Sequence, residues 1–286
     1  MAQVSRALKR GFLLLCPASL RQRLLQARPN LRKAAPVGMK FVFPFYLDDV
    51  SVHIDTTYKA ERIMWTGEYE APLIQFLKTH NTDGWNCFDV GANVGAVALA
   101  LAKYTGSIGR VFAFEPGPPN LLRLRSNFSL NPSLLCRTEI IACGVSDKPG
   151  ELWWTEEQGN PGNALLSDKG THKVPVTTLD AFVSERHIDR VDFVKIDVEG
   201  MELLVMRGAA EVLRRFRPIV YFETLRRYLK SATGASFSDI EKFLVGELGY
   251  KFYRLSSSGQ LIPLAGHRQG GYTVAIHPET PVQSRL

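Results

Sequence analysis

From Trp85 onward, short runs of apolar residues alternate with longer segments in which apolar residues recur every three or four positions. The short runs predict buried β-strands, and the longer segments predict amphipathic helices. Regular alternation of the two is typical of a parallel sheet covered by helices on both faces. The predicted strands of this sheet are Cys87–Val90, Arg110–Glu115, Ile140–Val145, Val191–Val198 and Pro218–Glu223. The pattern therefore predicts an α/β fold.

Helices and additional strands are predicted between and after these five strands. The helical segments are Val94–Tyr104, Pro119–Leu130, Leu179–His187, Glu202–Phe216 and Phe237–Leu248. Strand-like segments outside the five are Glu151–Thr155 and Lys173–Thr177, which indicate an inserted hairpin or edge pair, and Lys251–Leu255 and Gly271–His277, which close the chain. We found no internal repeat and no low-complexity tract.

The segment before Trp85 divides into two parts. Residues 1–40 form a basic extension, and residues 41–84 form a preamble expected to lie against the main domain, residues 85–286. In the preamble, Phe41–Ile54 mixes aromatic and β-branched residues with a proline, which indicates an edge strand or hairpin. A helix with apolar residues at Leu73, Phe76 and Leu77 follows.

The formal net charge of +7 is concentrated in the extension. Residues 1–40 contain nine Lys or Arg and no acidic residue, whereas the rest of the chain has 26 basic and 28 acidic residues. The basic character therefore belongs to the extension and not to the main domain. Because no basic surface is predicted on that domain, we expect no nucleic-acid partner.

The extension contains an apolar run after its first basic residues, Gly11–Pro17, which superficially resembles a signal peptide. The run is short, is interrupted by proline, and lacks a small-residue cleavage site, so we expect a cytoplasmic protein. Two short basic amphipathic helices, Val4–Leu15 and Ala18–Gln26, would suit an anionic membrane surface. Residues 1–36 would then give peripheral contact at the inner membrane surface. The alternative is a partly ordered extension that packs on the main domain.

Histidine and cysteine spacing predicts no metal site. The six histidines show no metal-ligand spacing, and no cysteine pair has the C-x-x-C pattern. We therefore expect reduced, structural thiols at Cys16, Cys87, Cys136 and Cys143.

The most informative segment runs from Asp89 to Gly95, with the sequence DVGANVG, between a predicted strand and a predicted helix. Such a strand–glycine loop–helix turn brings backbone N–H groups to a ligand at the carboxyl edge of the sheet. A dinucleotide fingerprint has the spacing GxGxxG, whereas here Asn93 carries a side chain where the second glycine would lie. The spacing therefore favours S-adenosylmethionine, whose cationic methionyl group suits a carboxylate network and which has no pyrophosphate.

Glu115 ends the second predicted strand, about twenty residues after the loop, as in the dinucleotide pattern. A carboxylate at this place accepts hydrogen bonds from both ribose hydroxyls of a nucleoside. The third strand ends in Cys143–Asp147, where the adenine edge would lie.

Several segments together resemble the FkbM family of methyltransferases. They are GEYEAP (Gly67–Pro72), FDVGANVG (Phe88–Gly95), FAFEPGPPN (Phe112–Asn120), GVSDKPGEL (Gly144–Leu152), TTLDAF (Thr177–Phe182) and VDFVKIDVEGMELLVMRGA (Val191–Ala209). Members often have His where this chain has Met201, and the resemblance is loose before Phe41 and after Glu223.

The resemblance implies a class I methyltransferase fold: a Rossmann-like, mostly parallel sheet with an antiparallel C-terminal strand and helices on both faces. It also implies S-adenosylmethionine as methyl donor and O-methylation of a small molecule, glycan or glycolipid. The residues that would bind the cofactor are Asp89, Gly91, Ala92, Asn93, Gly95, Glu115, Pro116 and Val145.

Acidic residues gather at the end of the fourth predicted strand. Lys195, Asp197 and Glu199 follow an i, i+2, i+4 pattern, so they would point to one side of an extended backbone. Glu223 ends the neighbouring strand. Crowded carboxylates raise one another's pKa, so one of them would suit a general base, with Asp197 first and Glu199 second. Glu202 is expected in the first turn of the following helix, where the helix dipole favours a negative charge.

Three other interpretations of these charges stay open. The carboxylates would hold Mg²⁺, which would acidify a bound hydroxyl. Lys195 would orient a carboxylate or stabilise a developing alkoxide. In the third interpretation, Lys195 and a carboxylate form only a structural ion pair. The adjacent Trp153 and Trp154 point to opposite faces of a strand, so at least one belongs to the core even if the other stacks on a sugar.

Other functions remain as alternatives: a nucleic-acid or protein methyltransferase, an NAD-dependent oxidoreductase, or a non-catalytic relative. Amine methylation of nucleic acids typically uses [D/N]PP[Y/F], where this chain has Asp197–Gly200, and no Pro-Cys nucleophile is present. The glycine spacing disfavours NAD, and a scaffold protein would not need the loop, Glu115 and VKIDVEG together.

Overall fold

The computed structural model describes residues 38–156, 164–167, 169–223, 226–264 and 271–281. The basic extension predicted to contact membranes, residues 1–36, lies outside these ranges. Within them, no helix combines the length and the apolar character needed to cross a bilayer.

The preamble is a hairpin followed by two helices. Strands β1 (Lys40–Tyr46) and β2 (Val50–Asp55) pair antiparallel, which confirms the predicted hairpin. Helices α1 (Lys59–Thr66) and α2 (Ala71–Thr79) follow. Helix α2 buries Leu73, Phe76 and Leu77, the three positions that the apolar pattern singled out.

The remaining strands form two sheets. They are β3 (Asn86–Val90), β4 (Arg110–Phe114), β5 (Thr138–Ile141), β6 (Gly144–Val145), β7 (Gly150–Glu156), β8 (Ala164–Ser167), β9 (His172–Thr177), β10 (Phe193–Ile196), β11 (Ile219–Glu223), β12 (Lys251–Leu255), β13 (Leu261–Pro263) and β14 (Tyr272–Ile276). The main sheet has the order β13-β12-β14-β11-β10-β3-β4-β5. Its strands from β11 to β5 are parallel, and β14 pairs antiparallel with β11. This is the mostly parallel sheet with an antiparallel C-terminal strand that was expected.

The second sheet has four strands in the order β6-β9-β7-β8. Strands β7 and β9 pair antiparallel, which confirms the inserted pair. The prediction of one strand over Ile140–Val145 was wrong, because the chain leaves the main sheet at Ile141 and Gly144–Val145 pairs with β9 instead. Periodicity shows that a segment is apolar and extended, but it does not show which sheet the segment joins.

The helices of the main domain lie between its strands. They are α3 (Ala96–Tyr104), α4 (Pro118–Ser129), α5 (Pro132–Leu135), α6 (Leu179–Glu185), α7 (Glu202–Arg207), α8 (Ala210–Phe216), α9 (Arg226–Thr233) and α10 (Phe237–Glu241), which continues as a π-helical turn over Lys242–Glu247. The single helix predicted over Glu202–Phe216 is thus two helices, α7 and α8. At the break, a Cβ on Gly208 would lie 2.0 Å from the carbonyl oxygen of Ser146, so the chain passes too close to a neighbouring loop to hold a side chain there.

The core has one layer on each face of the main sheet. Cys87, Val111, Phe193 and Ile219 face the preamble and α3, whereas Phe88, Phe112, Val194 and Val220 face α6, α7 and α8. Successive side chains of a strand point to opposite faces. Asp89, Lys195, Tyr221 and Glu223 therefore point toward the preamble side, as Cys87, Phe193 and Ile219 do. The preamble thus covers the face on which the polar residues of three neighbouring strands project.

Candidate active site

The glycine loop lies against the exit of β10. Gly91 has φ +81°, and a Cβ there would lie 2.0 Å from the carbonyl oxygen of Asp197. The N–H of Asp197 donates to the carbonyl of Val90 at 3.1 Å, and Lys195 Nζ donates to the carbonyl of Gly91 at 2.9 Å. Only a residue without a side chain fits this close approach, which fixes the start of the loop.

The N–H groups of the loop are largely engaged within the protein. Those of Gly91 and Ala92 donate to the carbonyl of Phe114 at 3.1 and 2.9 Å, and that of Gly95 donates to the carbonyl of Ala92 at 2.8 Å. The N–H of Asn93 donates to Glu115 Oε2 at 2.8 Å. The expectation that loop N–H groups bind the ligand is therefore wrong for these four residues.

Glu115 connects the loop to the end of β4. Its Oε2 accepts the bond from Asn93, and its Oε1 accepts the N–H of Gly117 at 2.8 Å. Burial raises the pKa of Glu115 to about 7, although these two backbone hydrogen bonds act to lower it. Each carboxylate oxygen has a second lone pair, so the predicted role toward ribose hydroxyls is compatible with both bonds.

The inserted sheet closes the space beside Glu115. Trp154 is 4% exposed, and a Cβ on Gly117 would lie 2.5 Å from its indole Nε1. A Cβ on Gly144 would lie 3.7 Å from Cβ of Pro116, so β6 lies against the loop after β4. Val145, the other residue of β6, is buried. The burial of Trp154 confirms that at least one of the two tryptophans is a core residue. Within the predicted adenine segment Cys143–Asp147, Gly144 and Val145 thus belong to β6 of the second sheet and not to the end of a main-sheet strand.

Lys195 is the charged centre of the site. Its Nζ lies 3.1 Å from Asp89 Oδ1 and 3.6 Å from Asp197 Oδ2. The side chains of Lys195 and Asp89 are 3% and 0% exposed, whereas that of Asp197 is 17% exposed. Burial disfavours the charge of Lys195, but the combined attraction of Asp89, Asp197 and Glu70 outweighs it and raises the pKa of Lys195. Asp89 therefore acts through Lys195, and Asp197 is the carboxylate of this trio that solvent reaches.

Glu199 does not continue the line of Lys195 and Asp197. The strand ends at Ile196, and Glu199 has φ +53°, so the extended backbone assumed for the i, i+2, i+4 pattern is lost. The placement of all three side chains on one side of a strand was therefore wrong for Glu199. It still lies close enough to Glu223 to contribute to the raised pKa of that carboxyl.

Glu202 stabilises the turn that follows. Its Oε1 accepts the N–H groups of Val198 and Gly200 at 3.3 and 3.1 Å, and it begins α7. Burial raises the pKa of Glu202 to about 7, although those hydrogen bonds act to lower it. The predicted position of Glu202 in the first turn of the helix is confirmed. Its hydrogen bonds go to the connection between β10 and α7, so it stabilises that connection.

Glu223 lies at the end of β11, as predicted. Burial and the negative charges of Asp197 and Glu199 raise the pKa of Glu223 to about 9. Near neutral pH this carboxyl is therefore protonated and donates a hydrogen bond more readily than it accepts a proton.

Four residues that the sequence analysis did not assign complete the cluster. Tyr221 donates its hydroxyl to Glu70 Oε2 at 2.5 Å, and Tyr272 donates its hydroxyl to Asp197 Oδ2 at 3.1 Å. Burial and the charges of Asp197 and Glu70 raise the pKa of Tyr69, which places its hydroxyl near both. The sequence signal for them was the segment Gly67–Pro72, which contains Tyr69 and Glu70 and belongs to the family resemblance.

No metal site is found among the residues that the structure describes: no three His, Cys, Asp or Glu side chains are grouped to hold an ion. In the same ranges, Cys87, Cys136 and Cys143 are free thiols, as expected, and Cys16 lies outside them.

The methyltransferase FkbM domain model matches residues 89–252, which hold the glycine loop, Glu115, Lys195, Asp197 and Glu223. The chain belongs to the FkbM methyltransferase family. The match begins at Asp89, so the preamble that supplies Glu70 lies before it.

Two relatives are similar to this chain over part of their length. The hexuronic acid methyltransferase AglP of Haloferax volcanii is 28% identical over 51% of this chain and 58% of its own. The 2-O-methyltransferase NoeI of Sinorhizobium fredii is 27% identical over 47% of this chain and 61% of its own. The chain thus spans less than two thirds of these relatives. Among solved structures, the FkbM methyltransferase of Methylobacillus flagellatus is 14% identical, covers 76% of this chain and 54% of its own, and has a TM-score of 0.45.

Proposed function

We propose that the protein transfers the methyl group of S-adenosylmethionine to a hydroxyl group of a glycan, a glycolipid or a small metabolite. The observation that carries the proposal is the glycine loop with its N–H groups engaged internally. A pyrophosphate needs free N–H donors, and at Gly91, Ala92, Asn93 and Gly95 they are already bonded. The loop and its surroundings instead offer carbonyl and carboxylate oxygens, which suit a cationic methionyl group.

The described residues fit this cofactor. Glu115 would accept the ribose hydroxyls, and Pro116 and Val145 would line the adenine. The Gly91–Gly95 loop would hold the methionyl group, with Asp89 acting through Lys195. When bound, S-adenosylmethionine supplies an electrophilic methyl group on a sulfonium sulfur.

We assign to Asp197 the removal of the proton from the acceptor hydroxyl. It lies at the carboxyl edge of the sheet, is partly open to solvent, and receives a hydrogen bond from Tyr272. Lys195 Nζ lies 3.6 Å from Asp197 Oδ2 and holds this carboxylate in place at the end of β10. Glu199 is the second candidate. Glu223, with its pKa raised to about 9, would donate a hydrogen bond to the acceptor.

A magnesium-assisted reaction has no support among the described residues, because they contain no suitable ligand group. Loss of activity in EDTA and its recovery on addition of Mg²⁺ would support the magnesium-assisted reaction.

The acceptor class is supported by the names of relatives. One is a hexuronic acid methyltransferase and another a 2-O-methyltransferase, both of which indicate sugar hydroxyls. Incubation with a methyl-labelled donor and a cell extract, followed by identification of the product, tests this directly. A labelled nucleic acid or protein would replace our acceptor class with the alternative one.

Cofactor choice is tested by calorimetric titration with S-adenosylhomocysteine and, separately, NADH. We expect binding of the first and none of the second. Binding of NADH alone would overturn the proposal. Binding of S-adenosylhomocysteine with no labelled product from any extract would indicate a non-catalytic relative.

We also propose that residues 1–36 bring the protein to anionic membrane surfaces. The support is the charge pattern of residues 1–40, nine positive and no negative side chains, interleaved with apolar residues. Each Lys or Arg near an anionic bilayer contributes about 1 kcal/mol, and the attraction decays within a Debye length. Flotation with anionic vesicles should therefore recover the full chain at low salt and not at high salt, while a chain lacking residues 1–36 stays unbound. Equal behaviour of the two forms would refute membrane contact.

A further inference from the structure

A further carboxylate, that of the half-buried Glu70, lies near Asp197 in the active site. Glu70 precedes α2 in the left-handed conformation, with φ 47° and ψ 33°, and its side chain is turned onto the sheet face that carries Tyr221. The 2.5 Å bond from the Tyr221 hydroxyl is typical of an O–H donor to an ionised carboxylate. A non-glycine residue in this backbone conformation is uncommon and clusters at functional sites.

Two stacked tyrosines join Glu70 to Asp197. The rings of Tyr221 and Tyr272 have centroids 4.8 Å apart and an interplanar angle of 6°. The Tyr272 hydroxyl donates to Asp197 Oδ2 at 3.1 Å, and both tyrosine hydroxyls help to keep the pKa of Glu70 from rising further. The hydroxyl of Tyr272 is therefore close to both carboxylates, which is the arrangement that a proton relay requires.

The charged neighbours of Glu70 differ from those of Asp197. Burial raises the pKa of Glu70, and Asp197 adds to the effect, while Lys195 opposes it only weakly. Asp197 has Lys195 at 3.6 Å, so a proton on Asp197 would weaken its ion pair with the buried Lys195. Of the two carboxylates, Glu70 is the better place for a proton to stay. The other titratable groups near Glu70 are Tyr46, Tyr69, Tyr221, Glu223 and Tyr272.

Methyl transfer changes the charge of the site. The sulfonium cofactor becomes a neutral thioether as the acceptor hydroxyl loses its proton, so one positive charge disappears from the pocket and one proton must be placed. A carboxylate that takes this proton restores the balance of charge next to Lys195 and Asp197.

We propose that Glu70 stores the acceptor proton, which Asp197 removes and the hydroxyl of Tyr272 passes on. The inference rests on the proposed function. The acceptor O–H bond breaks as its O–C bond forms, the sulfur keeps the electron pair of the broken C–S bond, and the proton binds Asp197. Asp197 gives a proton to the Tyr272 oxygen while the original Tyr272 proton moves to Glu70. Tyr272 ends neutral, Asp197 ends ionised, and Glu70 ends as a carboxylic acid. Glu70 acts through the other two and is a positioning residue.

The test needs no acceptor. Titrations of the full chain with S-adenosylmethionine and with S-adenosylhomocysteine, in buffers of different ionisation enthalpy, count the protons that each complex binds near neutral pH. The homocysteine complex lacks the sulfonium charge, so we expect it to hold more protons than the methionine complex. Infrared difference spectra of the two complexes should show the carbonyl stretch of a protonated carboxyl in the homocysteine complex.

Variants identify the carboxyl. Glu70→Gln should abolish both the proton difference and the infrared band, whereas Glu70→Asp should keep them. Glu68→Gln, a matched change two residues away, should also keep them. If the difference persists in Glu70→Gln, Glu70 is not the store and the proposal is overturned. If neither cofactor binds the unmodified chain, the proposed function fails and not the relay.

Discussion

The two halves of the proposed site, one for the cofactor and one for the acceptor, are built in different ways. On the cofactor side, the loop and Glu115 meet through the bond between Asn93 and Glu115, residues 22 positions apart in one strand–loop–helix–strand segment. On the acceptor side, Tyr221 and Glu70 are 151 positions apart, and Tyr272 and Asp197 are 75 apart. One half is therefore local in sequence, and the other exists only when four separate elements are packed together.

The halves also differ in how their charges are stabilised. Glu115 is held by two backbone N–H groups, which the fold of its own segment supplies. Asp197 and Glu70 instead depend on side chains, namely Lys195, Tyr221 and Tyr272. Changes on the acceptor side should therefore affect turnover more than cofactor binding, and changes on the cofactor side should do the reverse.

The largest effect is expected for Asp197→Asn. Loss of a general base typically lowers turnover by about 10²–10⁴-fold. Affinity for S-adenosylhomocysteine should stay nearly unchanged, because Asp197 faces the acceptor in our assignment. Turnover is measured with the labelled acceptor and affinity by calorimetry. Asp189→Asn, an exposed and distant position, is the control. Normal turnover in Asp197→Asn would remove it from the mechanism.

A smaller effect, on stability and on cofactor binding, is expected for Gly91→Ala. The left-handed backbone costs a non-glycine residue about 1–2 kcal/mol, and the crowding against Asp197 adds about 1–3 kcal/mol. Gly234→Ala is the matched control, because its φ is +71° and a Cβ there has no atom within 4 Å. Urea unfolding should show the cost of the left-handed backbone in both variants. The cost of crowding against Asp197 should appear only in Gly91→Ala. Only that variant should also lose affinity for S-adenosylhomocysteine, and equal losses in both would show that the close approach is unimportant.

The smallest effect is expected for Glu115→Ala, which should weaken binding of S-adenosylhomocysteine by about 1.5–3 kcal/mol, the range for hydrogen bonds to a charged group. Glu151→Ala, on the exposed part of β7, should leave affinity unchanged. An unchanged affinity in Glu115→Ala would dismiss the ribose assignment.

The same residue should make cofactor binding depend on pH. The pKa of Glu115 is raised to about 7 in the free protein, and ribose hydroxyls donate to its ionised form. Affinity should therefore rise as pH increases through about 7 and fall as the carboxyl is protonated below it. Glu115→Gln should flatten this part of the profile. A slope that survives in Glu115→Gln would assign the dependence to another group.

The sequence predicted the sheet, the preamble hairpin and the strand-loop-helix around Gly91. It did not predict that Gly144–Val145 joins a second sheet, or that the helix after β10 breaks at Gly208. Both depend on which loops pass close to one another, and apolar periodicity carries no information on that. The i, i+2, i+4 pattern also assumed a backbone that stays extended as far as Glu199, whereas the chain is left-handed there.

The glycine spacing and the acid at the end of the second strand by themselves predicted the proposed cofactor half, because short connections and positive φ angles impose local constraints on residue type. Family membership follows from the same segments. Only the tertiary structure decided that the loop N–H groups are engaged internally, that Lys195 links Asp89 to Asp197, and that Glu70 and two tyrosines reach the acceptor side. These contacts join residues from separate strands and from the preamble, so they are set by strand order and by how the preamble packs on the sheet.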